Sequence, residues 1–123
     1  MEIPARLEER VRRICMALPE VHEQVTAYPP GAGRWRVRNR TFATTFWYDH
    51  GAGLEPVLEF ISRGAELAAL SNAPPPYYKS PWGGDVVHIR LDDDTDWDEI
   101  AELLADSYCH MAPKKLAALV QNA

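Results

Sequence analysis

The middle of the chain alternates apolar and polar residues over two adjacent stretches, 34–38 and 41–48. Successive side chains of a strand point to opposite faces, so this alternation predicts two half-buried strands. Asn39 tolerates a left-handed backbone, and we predict that the two strands form a hairpin turning across Asn39 and Arg40. Further strands are predicted at 25–28, 54–61 and 85–91. We therefore expect an antiparallel sheet.

Helical periodicity flanks these strands. Apolar residues recur at every third or fourth position from Leu7 to Leu18 and predict a helix over residues 4–17. Residues 62–71 predict a short helix, and residues 95–108 predict a longer one, capped by Asp94 or Thr95. A short terminal helix begins at Pro113. This order predicts the α+β class, in which helices cover one face of an antiparallel sheet.

The two sheet faces are predicted from the alternation. One face lies beneath the helices and carries the apolar members of the strands: Trp35, Val37, Phe42, Phe46, Leu58, Phe60, Val87, Ile89 and Leu91. The opposite face carries residues of both charges: Arg36, Arg38, Glu55, Glu59, His88 and Arg90. Cross-strand Arg–Glu pairs on an exposed face each contribute less than about 1 kcal/mol.

Composition limits the class of protein. A chain of 123 residues with 46% hydrophobic and 25% charged residues is expected to form a single compact domain over residues 1–123. Residues 1–48 carry a net charge of +3 and residues 49–123 a net charge of −8, which leaves −5 overall. No apolar run is long enough to span a membrane, no secretory h-region is present, and only two cysteines occur. We expect a reduced cytoplasmic protein, monomeric or weakly dimeric.

Three segments resemble the MmcQ/YjbR-like family. They are "RVRRICMALPEVHE" near the start, "RWRVRNRTFAT" in the middle and "DWDEIAELLADSYCHMAPKKLAAL" at the end. The resemblance implies a compact α+β fold with the order α-β-β-β-β-β-α, likened to the CyaY/frataxin fold. It also implies the DNA-binding role by which the family is commonly described. Residues 62–84 match the family pattern less well.

The arginines are the first candidate site. They are predicted to contact nucleic-acid phosphates, from the hairpin and from the first helix. These candidates are Arg34, Arg36, Arg38, Arg40, Arg10 and Arg13. The alternative interpretation is a solvated sheet face partly paired with Glu55 and Glu59, in keeping with the acidic composition. On this prediction the protein is a non-enzymatic DNA-binding domain, with DNA as its partner.

The aromatic residues of the proline-containing loop are the second candidate. We predict that Tyr77, Tyr78 and Trp82 line a groove for a small molecule or a peptide, together with Trp47 and Tyr48. The alternative is a lid that packs on the edge of the sheet.

Motifs for catalysis and metal binding are missing from the sequence. Asp92, Asp94 and Asp96 have the spacing of a calcium loop, but Trp97 stands where that loop needs glycine and Leu103 where it needs glutamate. The four histidines have no metal-ligand spacing, and Cys15 and Cys109 are interpreted as structural. We therefore predict no catalytic residue, no metal and no cofactor.

Overall fold

Six antiparallel strands form one sheet and four helices accompany it within residues 3–25 and 32–121, which the computed structural model describes. The predicted α+β class is confirmed. In chain order the elements are α1 (Ala5–Met16), β1 (His22–Val25), β2 (Gly33–Val37), β3 (Arg40–Asp49), β4 (Leu54–Ile61), α2 (Gly64–Ser71), β5 (Tyr77–Lys79), β6 (Val86–Arg90), α3 (Trp97–Met111) and α4 (Lys114–Gln121).

The strands lie in the order β1-β2-β3-β4-β6-β5, and each neighbouring pair is antiparallel. All four helices contribute apolar side chains to the layer on one face of this sheet, which we call the helix face. Trp35, Leu58 and Phe60 from the strands meet Val11 and Leu104 from the helices there. The other face, which we call the open face, carries the candidate site.

The hairpin between β2 and β3 turns at Arg38 and Asn39, one residue earlier than predicted. Both residues have positive φ angles, 48° and 66°, and Val37 pairs with Arg40 across the turn. Two central residues with positive φ define a type I′ turn, whose twist matches that of the flanking strands. Arg38 therefore belongs to the turn rather than to the strand, and the arginines of residues 34–40 do not continue one alternating row.

A β-bulge in β3 corrects the predicted face of Phe46. Trp35 lies opposite Ala43 and Arg36 lies opposite Thr41, so Phe42 is the additional residue of the bulge. Phe42 and Ala43 are consequently both buried, and the Phe42 ring packs edge-on against Tyr108 at 5.5 Å between centroids. Beyond the bulge the alternation restarts, which places Phe46 on the open face and not beneath the helices.

Three local predictions also change. Strand β1 begins at His22, and residues 26–28 of the predicted strand 25–28 lie outside the described residues. Residues 77–79 form strand β5, although the sequence placed them in a loop. Helix α3 is capped by Asp96, whose carboxylate accepts hydrogen bonds from the backbone N–H groups of Asp98 and Glu99, and not by Asp94 or Thr95.

Candidate ligand site on the open sheet face

A row of polar residues crosses the open face in register. Arg34 of β2 pairs with Thr44 of β3, Thr44 with Glu59 of β4, and Glu59 with His88 of β6. Tyr78 of β5 completes the row beside His88. Paired residues of adjacent strands point to the same face, so the sheet itself brings these five side chains together.

Glu59 is the centre of a hydrogen-bond chain in this row. Its Oε1 accepts a hydrogen bond from Trp82 Nε1–H at 2.7 Å and lies 3.0 Å from His88 Nε2. His88 Nδ1 lies 2.9 Å from His50 Nε2, and the His50 ring stacks on Tyr78 with 4.1 Å between centroids. With both imidazoles neutral, one assignment satisfies every contact: His88 donates from Nε2 to Glu59, and His50 donates from Nε2 to His88.

Burial favours that neutral arrangement for His50. Desolvation lowers the pKa of His50 from the ordinary imidazole value of 6.5, and the neighbouring His88 lowers it further. Asp49 acts in the opposite direction as a smaller influence. His88 itself is fully buried, at 0% exposure, which corrects its predicted place on a solvated face. Both of its ring nitrogens have partners, as a buried polar side chain requires.

Aromatic rings surround this chain of hydrogen bonds. The Trp82 ring lies 4.9 Å from His88, 5.5 Å from Tyr48 and 5.9 Å from Phe46, measured between centroids. Trp82 nevertheless remains 55% exposed. Its ring therefore forms a fixed aromatic wall with one side turned to solvent.

A cleft of about 390 Å³ opens beside this wall, and we call it the groove. It is lined by Arg34, Thr44, Phe46, Trp47, Tyr48, Glu59 and Trp82. Arg34 is half-buried, and its side chain forms no hydrogen bond or ion pair with another described residue; its Nε is buried without a partner. The groove thus combines aromatic walls with one cationic and one anionic group.

The hairpin arginines predicted to bind phosphates do not act as one set. Arg34 and Arg36 lie on the open face, because they pair with Gln24 and His22 of β1 on the same side. Arg36 donates to Gln24 and to the carbonyl oxygen of Asn39. Arg38 binds both carboxylate oxygens of Glu20, which raises the pKa of the Arg38 guanidinium and lowers that of Glu20. Arg40 is exposed at the start of β3.

The arginines of α1 lie on the other side of the sheet. Helix α1 buries Leu7, Val11 and Cys15 in the core of the helix face. Arg10 stacks over the Trp97 ring with its Cζ 5.0 Å from the centroid, and Arg13 lies 3.6 Å from a carboxylate oxygen of Glu9. The sheet therefore separates these arginines from Arg34 and Arg36.

The aromatic residues that were predicted to line a groove lie on both faces of the sheet. Tyr78 and Trp82 reach the open face, as described above. Tyr77 packs against the core of the helix face and donates its hydroxyl hydrogen to Glu99; burial, followed by Glu99, raises the pKa of Tyr77. Trp47 packs at the margin of that core and also borders the groove.

The sequence interpretation missed Thr44, Phe46 and His50, and it did not assign a ligand-facing role to Glu59. Thr44, Phe46 and Tyr48 follow a two-residue period that places them on one face once the bulge is known. No sequence spacing connects residues 46–50 with residue 59 or 88, because their proximity depends on the pairing of β3, β4 and β6.

Other chemistry has little support in the described ranges. Among residues 3–25 and 32–121, no group of three or more His, Cys, Asp or Glu side chains is arranged to hold a metal ion. Burial raises the pKa of both the Cys15 and the Cys109 thiol, which disfavours the reactive thiolate. Within the same ranges, no helix has the length and apolar character needed to cross a bilayer.

The fold and the site together define an α+β domain with one helix-covered face and one open face that carries an aromatic groove. The chain belongs to the YjbR family, whose sequence profile matches residues 16–110. This match includes every residue of the groove. No protein of curated function matches the chain at a significant level.

Proposed function

We propose that this protein binds a small organic molecule in the groove and acts as a non-enzymatic ligand-binding domain. The observation that carries the proposal is Trp82, which is more than half exposed yet fixed by its hydrogen bond to Glu59. An aromatic ring that is ordered before binding offers contact area with little loss of side-chain entropy. Trp82 comes from the proline-containing loop for which the sequence predicts this role, and it lines the groove.

The dimensions and chemistry of the groove support the same proposal. Its volume of about 390 Å³ lies in the range typical of small-molecule sites. Aromatic side chains form most of its lining, and Arg34, Thr44 and Glu59 supply a few polar groups that can orient a ligand. This combination is typical of pockets that recognise a small molecule rather than a flat macromolecular surface.

A fragment titration followed by NMR tests the proposal. The chain has four tryptophans, and each contributes an indole N–H signal that a Trp→Phe variant assigns. We expect aromatic fragments to shift the Trp82 indole signal, while the signal of the fully buried Trp35 stays unchanged. A library that leaves the Trp82 signal in place at millimolar concentration would contradict the proposal.

Two variants distinguish binding of the fragments in the groove from non-specific binding to exposed apolar side chains. Trp82→Ala removes the aromatic wall, and we expect its affinity for the fragments, measured from the NMR signals of the fragments themselves, to be at least about tenfold weaker. Leu119→Ala removes an equally exposed apolar side chain on α4, at 60% exposure, and is expected to leave binding unchanged. If the two variants bind the fragments with equal affinity, the fragments bind outside the groove.

DNA binding by the arginines remains the second proposal. It is supported by Arg34 and Arg40, whose side chains have no acidic partner among the described residues. The ion pair of Arg38 with Glu20, the separation of Arg10 and Arg13 from the open face, and the net charge of −5 all weaken it. The geometry therefore favours the small molecule.

Fluorescence anisotropy with duplex and single-stranded DNA at two salt concentrations tests this second proposal. Contact of all four hairpin arginines with phosphate predicts a log–log salt slope of roughly −3 to −4. Loss of binding in the double variant Arg36→Glu, Arg38→Glu would assign the contact to the hairpin. Absence of binding at low salt would exclude DNA as the partner.

A further inference from the structure

We infer that the groove selects an aromatic carboxylic acid that carries an N–H donor on the side of its ring opposite the carboxylate. The inference rests on the proposed function and specifies the class of ligand. It follows from the positions of Arg34 on β2 and Glu59 on β4, which have Thr44 between them in the polar row, and from the aromatic walls beside that row.

Arg34 supplies the guanidinium that binds the carboxylate of the ligand. Its guanidinium lines the groove and has no acidic partner within the described ranges, in contrast to Arg12, Arg38 and Arg90, which each contact at least one carboxylate. The Nε of Arg34 is buried without a partner, so the terminal guanidinium nitrogens are the donors that a ligand in the groove can reach. A planar carboxylate matches the geometry of guanidinium donors and satisfies them with charged hydrogen bonds.

Glu59 supplies the carboxylate oxygen that accepts a hydrogen bond from the N–H donor of the ligand. Trp82 and His88 both contact its Oε1, and its Oε2 has no hydrogen-bond partner among the described residues. These two contacts hold Oε1 in place and leave Oε2 available at the groove. A carboxylate oxygen only accepts hydrogen bonds when ionised, so the ligand must present an N–H or O–H group to it.

The two charged groups come from strands that are not adjacent in the sheet. Arg34 and Glu59 lie two strand spacings apart, with Thr44 between them, which is about 10 Å at the backbone. No ion pair joins their side chains. Both side chains line the groove, and a single aromatic ring with substituents at opposite ends can lie between them with its faces against Trp82 and Phe46.

The charge of the site favours a carboxylate over a phosphate. One guanidinium, that of Arg34, lines the groove, and the carboxylate of Glu59 lies two strands away from it in the same row. A phosphate monoester carries about two negative charges near neutral pH, and a second negative charge so close to Glu59 is repelled. A monoanion is neutralised by Arg34 alone.

Four probes separate the two recognition elements: 4-aminobenzoate, benzoate, 4-aminobenzamide and 4-nitrobenzoate. Only 4-aminobenzoate has both the carboxylate and the opposite N–H donor. We expect it to bind about tenfold more tightly than benzoate, which lacks the donor, and than 4-aminobenzamide, which lacks the charge. The Trp82 indole signal reports occupancy of the groove for all four.

Two variants assign these preferences to residues. Arg34→Gln is expected to abolish the preference for 4-aminobenzoate over 4-aminobenzamide. Glu59→Gln keeps a carbonyl oxygen for Trp82 and His88 and presents an NH₂ group to the groove, so it is expected to reverse the preference between 4-aminobenzoate and 4-nitrobenzoate. Arg36→Gln changes a neighbouring arginine that is held by Gln24 and is the matched control, with unchanged affinities.

The outcomes distinguish this inference from the proposed function. If 4-aminobenzoate shifts the Trp82 signal with equal affinity in the wild type, Arg34→Gln and Glu59→Gln, the inferred ligand class is wrong and the groove remains a binding site. The same holds if only neutral fragments shift that signal. If no probe or fragment shifts it, both the ligand class and the proposed function are wrong. A reversed preference in folded Glu59→Gln supports the inference directly.

Discussion

His88 is buried as deeply as the residues of the main core, although it lies on the open face, opposite the four helices of residues 3–25 and 32–121. Its burial is possible because Glu59 and His50 satisfy its two ring nitrogens and because Phe46, Tyr48 and Trp82 enclose it. At the scale of single residues, the open face thus has a small aromatic core of its own. This core positions the Glu59 carboxylate at the groove.

His50 makes the stability of this second core dependent on pH. Its pKa is lowered in the folded chain, chiefly by burial and then by His88, so the folded state binds fewer protons than the unfolded state as the pH falls below 6.5. The contribution of neutral His50 is therefore complete above that pH and is lost on acidification. We expect the free energy of unfolding, measured with urea, to decrease from pH 7.5 to pH 5.5.

Two histidine variants test the origin of that decrease. His50→Gln retains an N–H donor for His88 but does not titrate, and it is expected to reduce the dependence on pH between these two values. His22→Gln alters an exposed histidine of β1 and serves as the control. If His50→Gln keeps the full pH dependence of the wild type, titration of His50 is not its source.

At the scale of elements, strand β3 contributes to both faces of the molecule. Before the bulge, Phe42 enters the helix-face core, where Ser107 donates its hydroxyl hydrogen to the Phe42 carbonyl oxygen. After the bulge, Phe46 and Tyr48 enter the aromatic core of the open face. Because the bulge adds one residue to β3, this strand contributes aromatic rings to two separate cores.

Phe42 and Phe46 are expected to respond differently to truncation. Phe42→Ala leaves a cavity in the main core and is expected to lower the free energy of unfolding by about 3–5 kcal/mol. Phe46→Ala removes a half-buried ring and is expected to cost roughly 1–2 kcal/mol while weakening binding of fragments in the groove. Urea denaturation and the fragment titration measure the two effects. Equal loss of stability would contradict the assignment of these residues to different cores.

At the scale of the whole molecule, the unequal charges of the two chain segments are partly neutralised by folding. Arg38 meets Glu20 within the basic segment, while Arg6 meets Asp93 across the chain. Both pairs are exposed, and exposed pairs contribute little to stability because water and salt screen them. The free energy of folding must come mainly from the apolar layers.

A salt titration tests whether the apolar layers, and not the exposed ion pairs, provide most of the free energy of folding. Raising the NaCl concentration from about 0.05 M to about 0.5 M is expected to change the free energy of unfolding by less than about 1 kcal/mol, since screening acts on weak exposed pairs. Arg38→Gln should have an effect of similarly small size. A loss of several kcal/mol in high salt would show that the ion pairs carry more of the stability than their exposure indicates.

Much of the fold is predictable because it depends on local pattern. The period of apolar residues predicts α1 and α3, and the two-residue alternation predicts β2, β3 and most of β6. The groove is less predictable. Trp82 stands out in the sequence as an aromatic residue of a proline-containing loop. The same criterion also selects Tyr78, which stacks on His50 and does not line the groove, and Tyr77, which the register of β5 places on the helix face.

The arginine row shows the limit of a local pattern. Residues 34–40 alternate perfectly in sequence, yet a type I′ turn removes Arg38 from the strand, and the partners of each arginine lie in other elements. Only the folded chain decides that Arg38 is paired and that Arg34 remains available in the groove.

The sequence by itself determines the α+β class, the helices and most of the buried core, because side-chain periodicity and capping act between residues close in the chain. The tertiary structure alone decides that Arg34, Glu59, Trp82 and His88 form one site. Their proximity arises from strand pairing across β2, β3, β4 and β6 and from the bulge at Phe42, which are properties of the assembled sheet.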